Sequence, residues 1–177
     1  MNDLPIGEYA LLSDCRSAAL VSRWGAVDWL CAPRFDGPSL FGRLLDADAG
    51  HWSLRPVGEA DVGRRYLPET MAIETTFRTP MGTLRLVDAM LVGHGERGHD
   101  LGRASPGIVV RQLTCLEGNV EMELEFAPRP EYGIVTPLLA PMSGGIIARG
   151  GADSRLRSPV QSQLGATACY LEPGKDR

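Results

Sequence analysis

Short apolar runs, broken by glycine or proline before any of them reaches a long helix, constrain this 177-residue chain more than any other feature of it. Residues 9–12 and 18–22 are two such runs, and Arg23-Trp24-Gly25 leads from the second into a third at 27–31. That pattern predicts strands joined by tight turns. Residues 52–55 read as another strand and the polar stretch 58–64 as a loop. Further on, Met71, Ile73, Thr75 and Phe77 share one face of a strand. Thr79-Pro80-Met81-Gly82 turns, and Leu84, Leu86 and Met90 line the returning strand.

A second hairpin is predicted after the glycine-rich segment 93–107, which has no periodicity and reads as a mobile surface loop. Val109, Leu113 and Cys115 lie on one face of its first arm, and Glu117-Gly118-Asn119 turns. Val120, Met122, Leu124 and Phe126 then alternate with Glu121, Glu123 and Glu125, the pattern of a half-buried strand with a solvated acidic face. From residue 127 prolines and glycines allow only short strands, at 145–149 and 167–171, and the polar end 172–177 is expected to fray. The corner Ala32-Pro33-Arg34-Phe35-Asp36-Gly37-Pro38-Ser39 predicts the one helix. Ser39 would be its N-cap, with Leu40, Phe41, Leu44 and Leu45 at helical spacing. Many short strands and one short helix after the first of them predict an all-β antiparallel sandwich, a single domain over 1–177.

Eighteen Lys and Arg against 22 Asp and Glu, a net charge of −4, leave no clustered basic footprint for DNA or RNA. No apolar stretch approaches the roughly 20 residues of a membrane span, and residues 1–10 lack a basic region followed by an apolar one, so a cytoplasmic protein is expected. Cys15, Cys31, Cys115 and Cys169 form no C-x-x-C pair, which excludes a zinc site of the usual spacing and predicts four buried thiols; a Cys15–Cys31 bridge would need neighbouring strands.

Several arrangements mimic catalytic or binding motifs. Glu121, Glu123 and Glu125 stand two apart, about 7 Å, within the roughly 6.5–9.5 Å of inverting glycosidases. Catalytic carboxylates flank the scissile bond from opposite sides, however, and these project in parallel from one sheet face. Gly93-His94-Gly95-Glu96-Arg97-Gly98 matches G-x-G-x-x-G, but glycine and proline follow where the phosphate-binding helix should run. His51, His94 and His99 lack a local third metal ligand and read as surface histidines, and Ser13, Ser17 and Ser22 lack the G-x-S-x-G elbow of a nucleophile. No cofactor or metal is implied.

The strings GEYALLSDCRSAALVSR, DWLCAPRFDGPSLFGRLLD and HWSLRP resemble the N-terminal domain of bacterial glycoside hydrolase family 15 proteins, the glucoamylase and trehalase-like enzymes. The similarity continues through Arg65-Tyr66-Leu67-Pro68, Glu74-Thr75-Thr76-Phe77, residues 82–88 and Phe126-Ala127-Pro128-Arg129, and fades beyond Tyr132. Trp24 departs from it, standing where the family has an acidic residue or Asn before the turn glycine, and a bulky side chain takes positive φ poorly. The resemblance implies a β-sandwich that precedes a helical (α/α)6 barrel carrying both catalytic glutamates. With no set of amphipathic helices here, neither glutamate maps onto this sequence.

The implied function is a non-catalytic domain that packs on that barrel, in a protein hydrolysing α-glucosidic bonds by inversion. Self-association through exposed apolar surface or sheet edges is expected when the barrel is not present. Trp29, Arg34, Phe35 and Asp36 are the candidate interface or cleft-edge residues. The structural alternative at that corner is that Pro33 and Pro38 fix the turn, Phe35 and Phe41 enter the core, and Arg34 pairs with Asp36 or Asp28. A function of another class is a free-standing carbohydrate-binding or protein-interaction module, its α-glucoside or trehalose ligand resting on Trp24, Trp29 or Trp52.

Overall fold

A computed structural model describes residues 4–150, 154–157 and 166–173, apart from the side chains of 166–170 and 172–173. The first three runs form β1 (Tyr9–Ser13), β2 (Ala18–Ser22) and β3 (Ala26–Cys31), an antiparallel meander. With β4 (Ser39–Phe41), β5 (His51–Pro56) and β10 (Met122–Ala127) they make a six-stranded sheet in the order β1-β2-β3-β5-β10, β4 pairing with β3. The second sheet has eight strands: β6 (Asp61–Tyr66), β7 (Ile73–Thr79), β8 (Gly82–Met90), β9 (Val109–Gly118), β11 (Leu138–Met142), β12 (Gly145–Arg149), β13 (Ser154–Arg157) and β14 (Ala166–Pro173). Its order is β11-β12-β13-β14-β9-β8-β7-β6, and every pairing is antiparallel.

The sheets enclose one apolar layer. Leu12, Val21, Leu30, Phe41 and Trp52 from the first meet Ile73, Met90, Val109, Leu156 and Leu171 from the second. A satellite cluster of Leu54, Phe77, Leu84 and Leu86 closes one end. Side chains alternate across each strand, so only one face of each sheet enters the layer. The 71–90 hairpin follows its predicted pattern, Ile73, Thr75 and Phe77 facing Leu84, Leu86 and Met90 inside, though Met71 lies before the strand and is exposed.

Five expectations are corrected. The predicted helix at Ser39 is instead strand β4. Leu30 lies opposite Phe41 and Cys31 opposite Ser39, and the Ser39 carbonyl and Oγ accept the N–H groups of Glu131 and Tyr132. Ser39 is thus spent on tertiary partners, and what remains of the helix is a single turn in which Leu45 and Asp46 donate to the Gly42 carbonyl. The loop expected at 58–64 contains most of β6, an edge strand held by backbone pairing to β7 and by its own side chains. Arg64 donates to the carbonyls of Glu8 and Val21, and the Tyr66 hydroxyl both accepts from Leu11 N–H and donates to Leu11 C=O. Polar side chains hid it because they work outward, at the seam with β1.

The second predicted hairpin is not one. After Gly118 the chain leaves the eight-stranded sheet and β10 pairs with β5 in the other, placing Phe126 opposite Trp52 and Leu124, half exposed, at the edge. Nor are the thiols all buried: Cys15 is exposed, Cys115 partly so and Cys31 buried, all three free, while the side chain of Cys169 lies outside the described residues. Burial raises the Cys31 pKa. Of the tail expected to fray, 172–173 belong to β14 and 174–177 lie outside the described residues.

One ion pair is buried within the apolar layer, and its cation bonds across to the other sheet. Arg111 on β9 and Asp88 on β8 stand opposite each other, both 0% exposed, and Arg111 Nε and Nη2 donate to the carboxylate at 2.8 and 3.2 Å. Nη1 reaches the Trp52 carbonyl and Nη2 the Gly25 carbonyl of the opposite sheet, each at 2.8 Å, with the guanidinium carbon 4.9 Å from the Trp52 ring centroid. Truncating the cation leaves a buried anion without its partner and takes one donor from each of two carbonyls. Arg111→Ala should therefore lower the unfolding free energy by about 3–5 kcal/mol, and Arg111→Met with Asp88→Leu should recover part of it, as read from urea titrations.

Candidate functional site

The corner after β3 is exposed and well fastened. Phe35 N–H donates to the Arg16 carbonyl at 2.9 Å, Gly37 N–H to Arg34 C=O at 3.0 Å, and Ala32 N–H to Pro38 C=O at 3.3 Å. Asp14 shapes the facing β1–β2 turn, its Oδ1 accepting from the N–H groups of Arg16 and Ser17. Ser17 Oγ donates to Cys31 C=O, which ties that turn to the end of β3.

Arg34, Phe35 and Asp36 come together as expected, with Arg34 Nε 3.0 Å from Asp36 Oδ1, and with Cys15 and Arg16 they line a small hollow. Phe35 does not enter the core. The residue is 59% exposed, because the short corner turns it away from the apolar layer that Phe41 fills. Trp29 does not line this hollow either. An extra residue in β3 sets Val27 opposite Val21 and Trp29 opposite Leu20, and the Trp29 ring packs 6.2 Å from that of Tyr132.

The outer face of the six-stranded sheet carries a polar set that the sequence did not single out. Asp28 accepts from Tyr9 Oη at 3.1 Å and from Arg43 Nε at 2.8 Å, so the Arg43 pair sits where Arg34 was considered. His51, expected at the surface, is buried, its Nε2 2.9 Å from Glu125 Oε2. Glu123 takes Arg55 at 3.1 Å. Both carboxylates on β10, Glu123 and Glu125, are therefore held by basic neighbours on β5, and Glu121 lies before the strand, consistent with a solvated acidic face rather than a catalytic dyad. The parity signal was present: residues 51, 53 and 55 alternate with Trp52 and Leu54, which placed the polar ones outward.

Residues 93–107 form a loop with a short 3₁₀ turn at Gly98–Asp100. Glu96 fills the place where a phosphate would be cradled in a G-x-G-x-x-G helix start: its carboxylate accepts N–H groups from Gly93, Gly102 and Ala104. The loop is pinned to the β1–β2 turn by Ser105 Oγ, which donates to Asp14 C=O at 2.9 Å. The chain's own anion thus occupies the donors. Among the described residues no three His, Cys, Asp or Glu side chains converge on a metal position, and no helix is long and apolar enough to cross a membrane.

Comparison with known proteins places these residues in a family. The family described as trehalase-like, N-terminal, matches residues 1–163. The chain belongs to that family. The trehalase of Mycolicibacterium smegmatis is 38% identical over 161 residues, covering 82% of this chain and 24% of that protein. The trehalase of Mycobacterium tuberculosis is 37% identical over 165 residues, 84% of this chain and 24% of its own length. Trehalase 1 of Sulfolobus acidocaldarius is 31% identical over 131 residues. This member of the trehalase-like N-terminal family spans about a quarter of the curated relatives it matches, and no solved structure matches it.

The hydrogen bond from Ala104 N–H chiefly holds the Glu96 pKa below the ordinary glutamate value, helped by Gly102, Gly93 and the Arg103 charge against a desolvation cost. Because the folded-state pKa is the lower one, this brace is complete above the unfolded-state pKa and is lost as pH falls through the folded value. Amide protection factors at Gly102 and Ala104, corrected for intrinsic exchange at each pH, should fall on acidification through that window, and Glu96→Gln should show the acid-state protection already at neutral pH.

Proposed function

We propose that this chain is the non-catalytic N-terminal domain of an α-glucoside hydrolase of the trehalase type, packing on a catalytic part that lies outside it and bordering the substrate cleft with the Arg34–Asp36 corner. The observation that carries the reading is the pairing of 37–38% identity to trehalases across more than four-fifths of this chain with coverage of only 24% of those proteins. A domain conserved as a unit inside a longer hydrolase has a partner surface to serve.

The surface features fit such a role. Phe35 presents an apolar ring beside an exposed ion pair on a corner tied to two strands, so the backbone is ordered before a partner arrives. Ile134 and Leu138 add exposed apolar area at the β11 side of the molecule. Without a partner, that area and the β11 edge would favour pairing of two copies. In the parent reaction two carboxylates of the catalytic part would act as general acid and general base on trehalose, and this domain would position the cleft wall.

The chain alone, incubated with trehalose, should release no glucose above a heat-treated control, while the same chain replacing the N-terminal quarter of the M. smegmatis trehalase should support release. Turnover by the chain alone would overturn the reading. In that fusion Arg34→Ala should lower kcat/KM by roughly tenfold if the corner borders the cleft, and unchanged kinetics would remove the corner from it.

A further inference from the structure

Trp24 is out of place as a turn residue and well placed as a surface. An Asn-Gly hairpin turn needs positive φ at both central residues, and a tryptophan would resist it. The β2–β3 turn avoids the demand: Gly25 N–H donates to Ser22 C=O at 3.1 Å, and the left-handed conformation falls on Gly25 alone, at φ 76°. Gly25 is required twice, since a Cβ there would stand 2.6 Å from the Leu54 carbonyl and 3.1 Å from the Phe77 ring. Nothing in the turn requires an indole at the position before it.

Trp24 is nevertheless 49% exposed as a residue, and its ring is held in place. The Arg23 guanidinium carbon lies 5.2 Å from its centroid, and Arg23 is in turn tethered to Glu8 at 3.2 Å. Of the three tryptophans, Trp52 is sealed in the core and Trp29 is partly buried against Tyr132, which leaves Trp24 as the most exposed indole. Trp24 and Arg55 line two adjoining clefts, one of about 1030 Å³ floored by Phe77 and one of about 480 Å³ on the outer face of the six-stranded sheet. Volumes of this order suit small ligands.

The chemistry of the walls selects the ligand. In the larger cleft Arg55 faces Glu123 and Arg78 faces Asp61, in the smaller Arg43 faces Asp28, and Arg55, Glu123 and Arg78 are half or more exposed. With Glu59 in the larger cleft and Asp46 and Glu125 in the smaller, each holds three carboxylates and two guanidiniums, one surplus negative charge that disfavours an anion. Planar guanidinium and carboxylate groups with spare donors and acceptors match adjacent hydroxyls, and an indole face matches the apolar C–H face of a pyranose ring. We propose that Trp24 and the two clefts it separates bind a neutral saccharide, with the indole as platform and Arg55, Glu123 and Asp61 as hydroxyl partners.

The choice of glucosides as first probes rests on the trehalase reading above; the binding site itself does not. Tryptophan fluorescence and calorimetry of the 177-residue chain with trehalose, maltose and maltotriose should show saturable binding by at least one of them, with Kd on the order of 1 mM. Trp24→Ala should weaken it at least about tenfold, Trp24→Phe should restore part of it, and Leu101→Ala, an exposed apolar side chain lining neither cleft, should leave it unchanged. No saturation by any of the three at about 100 mM, or equal affinity in Trp24→Ala with its fold intact by circular dichroism, would overturn the proposal. Sugar binding by the chain combined with a fusion that releases no glucose would instead sink the hydrolase-domain reading and leave this site standing.

Discussion

The buried pair of Arg111 and Asp88 is the interaction on which the rest of the arrangement hangs. Two apolar sheets can slide against each other at little cost, because dispersion and apolar burial have no direction. A guanidinium fixed by a carboxylate on its own sheet and donating to two carbonyls on the other has direction, and it sets one relative position for β5, β8 and β9. Four of the five guanidinium N–H groups are thereby used, which is what makes a charge tolerable in an apolar layer.

That same contact reaches the surface. The Gly25 carbonyl, which accepts from Arg111 and from Leu54 N–H, lies directly after Trp24. The turn that displays the indole is thus anchored from below by the core ion pair and from the side by Arg23. The corner at Arg34 is anchored differently, through Arg16 and the Asp14 turn, so the two surface features are held by separate parts of the scaffold.

Much of the fold was legible. Short apolar runs between turns gave β1–β3, alternation gave the β7–β8 hairpin, because a half-buried strand writes its period into the sequence, and the spacing of prolines and glycines left the short strands near 145–149 and 167–171. What escaped had its signal elsewhere. β6 carries its apolar content poorly and is held by backbone pairing and by Arg64 and Tyr66 reaching across a seam. The Ser39 segment has helical spacing, but its backbone groups find partners in β3 and in residues 129–132. Arg111 and Asp88 were readable in principle: 109, 111 and 113 share a face, as do 84, 86, 88 and 90, so one cation and one anion stood on two apolar faces at once.

The sequence by itself determined that this chain is built of strands, where most of them lie, and which residues make the exposed corner at Arg34 and Asp36; these follow from local period and turn chemistry. Only the tertiary structure decided that β9 and β10 part company into different sheets, that His51 is buried beside Glu125 while Phe35 is not buried at all, and that Trp24 stands between two clefts. Those outcomes depend on which strand finds which neighbour, and pairing between segments distant in sequence leaves no period to read.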